Sequence, residues 1–237
     1  MRALPDCDPV QDTRIDAACH DHARTFPDLR FRALLGAAGW ARLPEAVRDR
    51  FSKRLCPGQA VTYVGRIVES RRNVAGRLIA HLGRLVGAPL PLSDDLAVPA
   101  VVSVTEDAAT RGQFWTRMYG RAQGFPQVIH SSKRFDGPTG LEEYIGCGFG
   151  IALRVSADDK ALHFHSDHYF LQVGKRRLRI PALLAPGALT VSHVDQGNGL
   201  FAFVLSLRHP LLGDMIFQKG TFREASVREA SQALPVH

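Results

Sequence analysis

A chain of 237 residues, 45% apolar and 22% charged, is long enough to bury a full core and has the composition of an ordinary soluble globule. No stretch approaches the roughly 20 apolar residues of a membrane span, and Met1–Arg30, with Asp6, Asp8, Asp12 and Asp16, holds no apolar leader, so a cytoplasmic location is expected. The net charge of +7 raises nucleic acid as a partner, but the basic residues fall in scattered pairs (Lys53-Arg54, Arg71-Arg72, Lys133-Arg134) and one cluster, Lys175-Arg176-Arg177-Leu178-Arg179, with no nucleic-acid motif around them.

Nucleic acid is therefore not expected. The cluster reads as a solvated hairpin tip after Gly174, with peripheral contact to anionic lipid as the alternative. Cys7, Cys19, Cys56 and Cys147 are far apart and form no C-x-x-C pair, which argues for free thiols rather than a zinc knuckle or redox couple.

Taken in order, residues 1–26 show little periodic pattern and are expected to form a tail. From Pro27 a short helix should present Phe31, Leu34 and Leu35 on one side and end at Gly36 and Gly39. Pro44 opens a second helix with Val47 and Phe51 four residues apart, and Trp40 between the two reads as a packing plug. Over 60–69, Val61, Tyr63, Gly65 and Ile67 alternate with Thr62, Val64, Arg66 and Val68, a strand with a bend or bulge at Gly65. Asn73 can cap a helix running to about Val86, in which Val74, Leu78, Ile79, Leu82, Leu85 and Val86 fit one apolar stripe and Arg77, His81 and Arg84 lie towards another side. Such a helix covers one side or end of a sheet, and lying on a membrane is its alternative use.

Past Pro89 and Pro91 the pattern turns to period two, with strand-like runs near 98–106, 112–120, 126–134, 141–146, 149–156, 160–173, 176–180, 188–195, 200–208 and 214–223. Tight turns such as Asp136-Gly-Pro138 and Gln196-Gly-Asn-Gly199 separate many of them. Many short strands so connected make a meander that must curl or close. The expected fold is mainly β: an antiparallel β-barrel or strongly curved sheet, lipocalin-like, of roughly eight to ten strands with two or three helices. It should form one domain over 27–224 with a tail at 225–237, and a helix-grip-like α+β arrangement is the alternative.

Chemistry centres on Gln113-Phe-Trp-Thr-Arg-Met-Tyr119. As a strand it puts Trp115, Arg117 and Tyr119 on one face, an apolar wall beside a fixed cation. Arg117 can anchor a ligand carboxylate or phosphate, or lie in an internal salt bridge for which Glu143 is a candidate partner; burial without either would be too costly. The second constellation is His163-Phe-His165-Ser-Asp167-His168, where His163, His165 and Asp167 share a strand face and could chelate a divalent metal if another strand, through His193 or His130, completed the set. Exposed polar alternation on a half-buried sheet gives the same pattern. Ser131-Ser132 and His130 lack a G-x-S-x-G elbow, Gly146-Cys-Gly-Phe-Gly150 opens no helix, and no phosphate-binding loop is present, so neither a catalytic set nor a cofactor is expected.

Over about Phe31 to Phe222 the chain resembles the bacterial domain-of-unknown-function family numbered 4166. The resemblance rests on Trp115-Thr116-Arg117 with Gly120, on Glu143 and Gly146, on Pro181, Leu184 and Pro186, and on His209-Pro-Leu-Leu-Gly213 leading to Gly220. Members occur alone or joined to NAD(P)-binding, saccharopine-dehydrogenase-like oxidoreductase domains, which implies an oxidoreductase partner. The family's aromatic two residues before the last glycine is replaced here by Gln218, and the histidine cluster at 163–168 is not a family feature. The family brings no established activity to transfer. The leading expectation is a non-catalytic binder of a small amphipathic or lipid-like anion, held by Trp115, Arg117, Tyr119 and Glu143. A metal-assisted enzyme using His163 and His165, and an accessory domain of a separate NAD(P)-dependent oxidoreductase, are the alternatives.

Overall fold

The computed structural model describes residues 26–55, 59–87 and 89–225. The expected tails therefore fall almost wholly outside the described residues, as do Cys7, Cys19 and Cys56. In chain order the elements are β1 (Phe26–Pro27), α1 (Arg30–Arg42), α2 (Glu45–Phe51), β2 (Lys53–Arg54), β3 (Ala60–Arg72), α3 (Val74–Leu82) with a 3-10 continuation (Gly83–Val86), β4 (Pro99–Asp107), β5 (Gly112–Tyr119), β6 (Gln127–Arg134), β7 (Glu142–Gly146), β8 (Phe149–Ala157), β9 (Ala161–Val173), β10 (Arg176–Arg179), β11 (Ala188–Gly197), β12 (Leu200–His209) and β13 (Gly213–Glu224).

The alternation decides the architecture. In β5, Gln113, Trp115, Arg117 and Tyr119 are buried while Phe114 and Met118 are exposed, and its neighbours repeat the pattern. Strands β3 to β9 each pair antiparallel with the next, β9 passes to β11, and β13 returns to β3. β8 also pairs with β9, so the order closes as a ten-stranded antiparallel barrel with three helices, the barrel form of the expected fold. β10 hangs on β9 as a hairpin outside the ring. Gly65 allows β3 to press against β13: a Cβ there would sit 2.0 Å from the Thr221 carbonyl oxygen, and the ladder slips just beyond it, between Lys219 and Gly220.

Two helical expectations need correction. The first helical segment does stop at Gly36 (φ 72°, ψ 168°), as expected, but a second segment of α1 runs on through Gly39 to Arg42, with Trp40 inside it rather than between helices. Phe31 and Leu43, 1% and 2% exposed, anchor both ends in the core and hold the helix across the break. α3 is capped as expected, the Asn73 Oδ1 accepting from the Gly76 amide at 2.8 Å. Most of its apolar stripe nevertheless faces outward, with Val74, Leu78, Leu82 and Leu85 exposed; Ile79 packs against the core, and the helix buries Gly76 and Ala80. A Cβ on Gly76 would meet the Met215 carbonyl oxygen at 1.9 Å, so only glycine lets the helix backbone rest directly on β13.

The two ends of the barrel are closed differently. At one, α1 and α2 insert Phe31 and Phe51 among barrel aromatics. At the other, α3 starts beside β13, where Asn73 donates through its amide to Met215 and through Nδ2 to Leu212. Its continuation finishes at the β7–β8 turn, where the Val86 carbonyl oxygen lies 2.5 Å from a Cβ position on Gly146. These corners lie on opposite sides of the ring, so the segment crosses the mouth.

Candidate functional site

Side chains fill the interior unevenly. Beneath α2, the His193 ring sits among Phe51, Phe203, Trp115, Phe164 and Phe201 with centroids 5.0 to 5.9 Å away. Burial first, then the nearby charges of Arg50, Lys133 and Arg117, hold its pKa well below the ordinary range, so the imidazole is neutral. Its Nδ1 has no hydrogen-bond partner among the described residues. Arg50 stacks on Phe201 at 3.8 Å.

Next to this plug lies a buried charge cluster. Cross-strand pairing sets Lys133 directly opposite Glu143, and β5 brings Arg117 beside them. The Arg117 Nη2 donates to Glu143 Oε1 at 2.9 Å and to Ser131 Oγ at 3.0 Å, and Lys133 Nζ lies 2.9 Å from Glu143 Oε2. The ammonium also faces the Trp115 ring at 4.8 Å. Burial alone would push the Glu143 carboxyl up, but Lys133 and Arg117 outweigh it and hold the group well below the usual carboxylate range. Burial lowers the Lys133 ammonium, with Glu143 opposing. Two cations therefore share one carboxylate, and the Arg117 Nε has no hydrogen-bond partner among the described residues.

On the mouth side of this cluster the barrel is hollow. A cavity of about 70 Å³ is lined by Arg117, Ser131 and Glu143 at its base and by Leu189, Val191, Phe203, Leu205 and Leu207 on its wall, with Pro89, Leu90 and Pro186 at its opening. That volume holds several waters or a small organic group. The Gln127 side chain ties the strap over the opening from both sides, accepting from the Leu92 amide and donating to the Leu90 carbonyl, both at 2.8 Å.

Of the residues expected to bind a ligand, Trp115, Arg117, Tyr119 and Glu143 all face inward and are at most 8% exposed. Only Arg117 and Glu143 reach the hollow. Trp115 belongs to the plug, its Nε1 donating to Gln113 at 3.2 Å, and Tyr119 does not line the cavity. His163, His165 and Asp167 lie along the outside of β9. Both nitrogens of His163 meet Ser192 and Asp158, both of His165 meet Ser156 and Thr190, and Asp167 is held by Arg154 and His168. His193 points to the opposite side of the sheet, and among the described residues no group of three or more His, Cys, Asp or Glu is placed to hold a metal ion. Sequence reading named Lys133, Ser131 and His193 only in other settings (a basic pair, a hydrolase set and a metal site) and missed their place inside the barrel. The signal for the first two was present: Ile129, Ser131 and Lys133 share one face of β6, beside Trp115 and Arg117.

A family model described as Domain of unknown function (DUF4166) matches residues 43–222. No curated protein and no solved structure matches the chain.

Proposed function

The chain belongs to the DUF4166 family, whose description carries no activity, and from the geometry of its interior we propose that it binds a small amphipathic anion, non-catalytically. The supporting observation is the excess of cation at the base of an apolar hollow: among the described residues Arg117 and Lys133 share the single carboxylate Glu143, and Arg117 lines the cavity with no hydrogen-bond partner for its Nε. A ligand carboxylate or phosphate meets that cation in a low-dielectric setting. An aliphatic tail then runs between Leu189, Leu205 and Leu207 towards Pro89 and Pro186. The present volume fits a head group and a few carbons, so a longer tail leaves past the 89–92 strap.

Calorimetric titration with octanoate and with octanol separates charge from chain. Octanoate should bind the wild type well above octanol, and Arg117→Ala should weaken octanoate by the roughly 1.5–3 kcal/mol of a hydrogen bond to a charged group, about 10- to 150-fold. Equal affinities of wild type and variant for octanoate would remove Arg117 from the role.

A further inference from the structure

The mouth end of the barrel exposes more large apolar side chains than its own packing accounts for. Val74, Leu78, Leu82 and Leu85 project from α3 and its continuation at 82, 61, 51 and 79% exposure. Connections at the same end add Leu211 in the β12–β13 turn, which the Asn73–Leu212 hydrogen bond ties to the start of α3, and Leu184 in the turn before β11, where a Cβ on Gly187 would lie 2.5 Å from the Arg208 carbonyl oxygen. Basic side chains predominate around this surface, with Asp94 and Asp214 at the same end held by Arg72 and Arg208. The segment 73–87 carries Arg77, His81 and Arg84 and no carboxylate, and Arg77 approaches Asp94 only at 3.8 Å while 62% of its side chain is exposed. Lys175 and Arg176, both exposed, stand at the β9–β10 turn of the same end.

Apolar side chains interleaved with arginines suit the boundary between anionic head groups and acyl chains. A second copy docked on this face would bring its own arginines against these, which disfavours self-association through it. We infer that this end docks on an anionic lipid bilayer, with the outer stripe of α3 in the head-group boundary and the opening at Pro89 and Pro186 facing the lipid. The surface carries the docking by itself; transfer of an anionic lipid into the hollow rests on the binding function proposed above.

Co-sedimentation of the full chain with phosphatidylcholine vesicles, alone or mixed with phosphatidylglycerol, tests this. The wild type should pellet with the mixed vesicles, far less with phosphatidylcholine alone, and release as salt rises. Leu78→Asp and Leu85→Asp should each lower partitioning at least about tenfold with an unchanged melting temperature. The docking is overturned if the wild type stays in the supernatant with mixed vesicles or if both variants pellet as it does. It is equally overturned if sedimentation velocity without lipid shows a dimer that Leu78→Asp splits, because the face then belongs to a second copy. Octanoate titration keeps the two functions apart: Leu78→Asp should retain octanoate affinity while losing vesicles, and Arg117→Ala the reverse.

Discussion

The two ends of this barrel use the same strands and opposite solutions. Under α1 and α2 the interior is filled edge to face, with Phe31 packed on Phe51, Phe135 and Phe164 at 5.0 to 6.0 Å. Under α3 the helix lies on the rim through a glycine and an alanine, and the space behind it stays open down to Arg117. At one end the helices drive large aromatic side chains inward; at the other the helix buries Gly76 and Ala80, and a chamber walled by Leu189, Phe203, Leu205 and Leu207 remains. The charge cluster stands at the border, where packing gives way to space.

Removing side chains from each end should show the contrast most strongly. Phe31→Ala should lower unfolding free energy by about 3–5 kcal/mol in a denaturant titration, while Leu189→Ala, on a wall that already borders empty space, should lose about 2 kcal/mol. Equal losses would mean that the hollow end is as tightly packed as the plug.

The border comes next. Glu143→Gln leaves Arg117 and Lys133 without their shared anion and should destabilise by about 3 kcal/mol. Added octanoate should restore much of that, and the variant should bind it more tightly than the wild type, since the internal competitor is gone. A variant that loses this stability while its octanoate affinity stays unchanged would show that the cluster is only structural.

The smallest effect concerns pH within the plug. Folded His193 stays neutral well below its ordinary pKa, whereas the unfolded chain protonates it near pH 6.5. The unfolded state therefore gains the proton first, and stability falls as pH drops below about 6.5. Glu143, depressed instead, adds stability above about pH 4.3 that is lost as pH falls further towards its folded value. His193→Leu should flatten the upper limb between about pH 6.5 and 5 and add about 1 kcal/mol at neutral pH, because an unpaired buried ring nitrogen disappears. A variant that keeps the wild-type slope would place the acid sensitivity elsewhere.

The alternation of Trp115, Arg117 and Tyr119 fixes a face, and the barrel turns that face inward; period two needs no tertiary information to be read. Depth along the barrel axis is different. Whether Trp115 borders the hollow or the plug depends on how far α2 inserts Phe51, and the two rings are joined through His193, which lies far from both in the sequence. The α3 stripe misled for a related reason. Periodicity shows that one side is apolar, but only the close approach of the Met215 carbonyl to Gly76, which leaves no room for a Cβ, shows which side faces the barrel. On the outside of β9, chelating spacing and a hydrogen-bonded polar stripe share one sequence pattern, and the Ser and Thr partners of His163 and His165 come from strands that the local pattern does not reach.

The pairing of β3 with β13 joins the earliest and latest barrel strands, from Ile216–Arg72 to Glu224–Tyr63. A nascent chain emerging from the ribosome therefore holds an unsealed sheet, with a bare edge on β3, until its final strand is synthesised. Synthesis halted before Gly213 would leave that edge open to a neighbouring polypeptide, making the last dozen or so barrel residues the latch of the whole assembly.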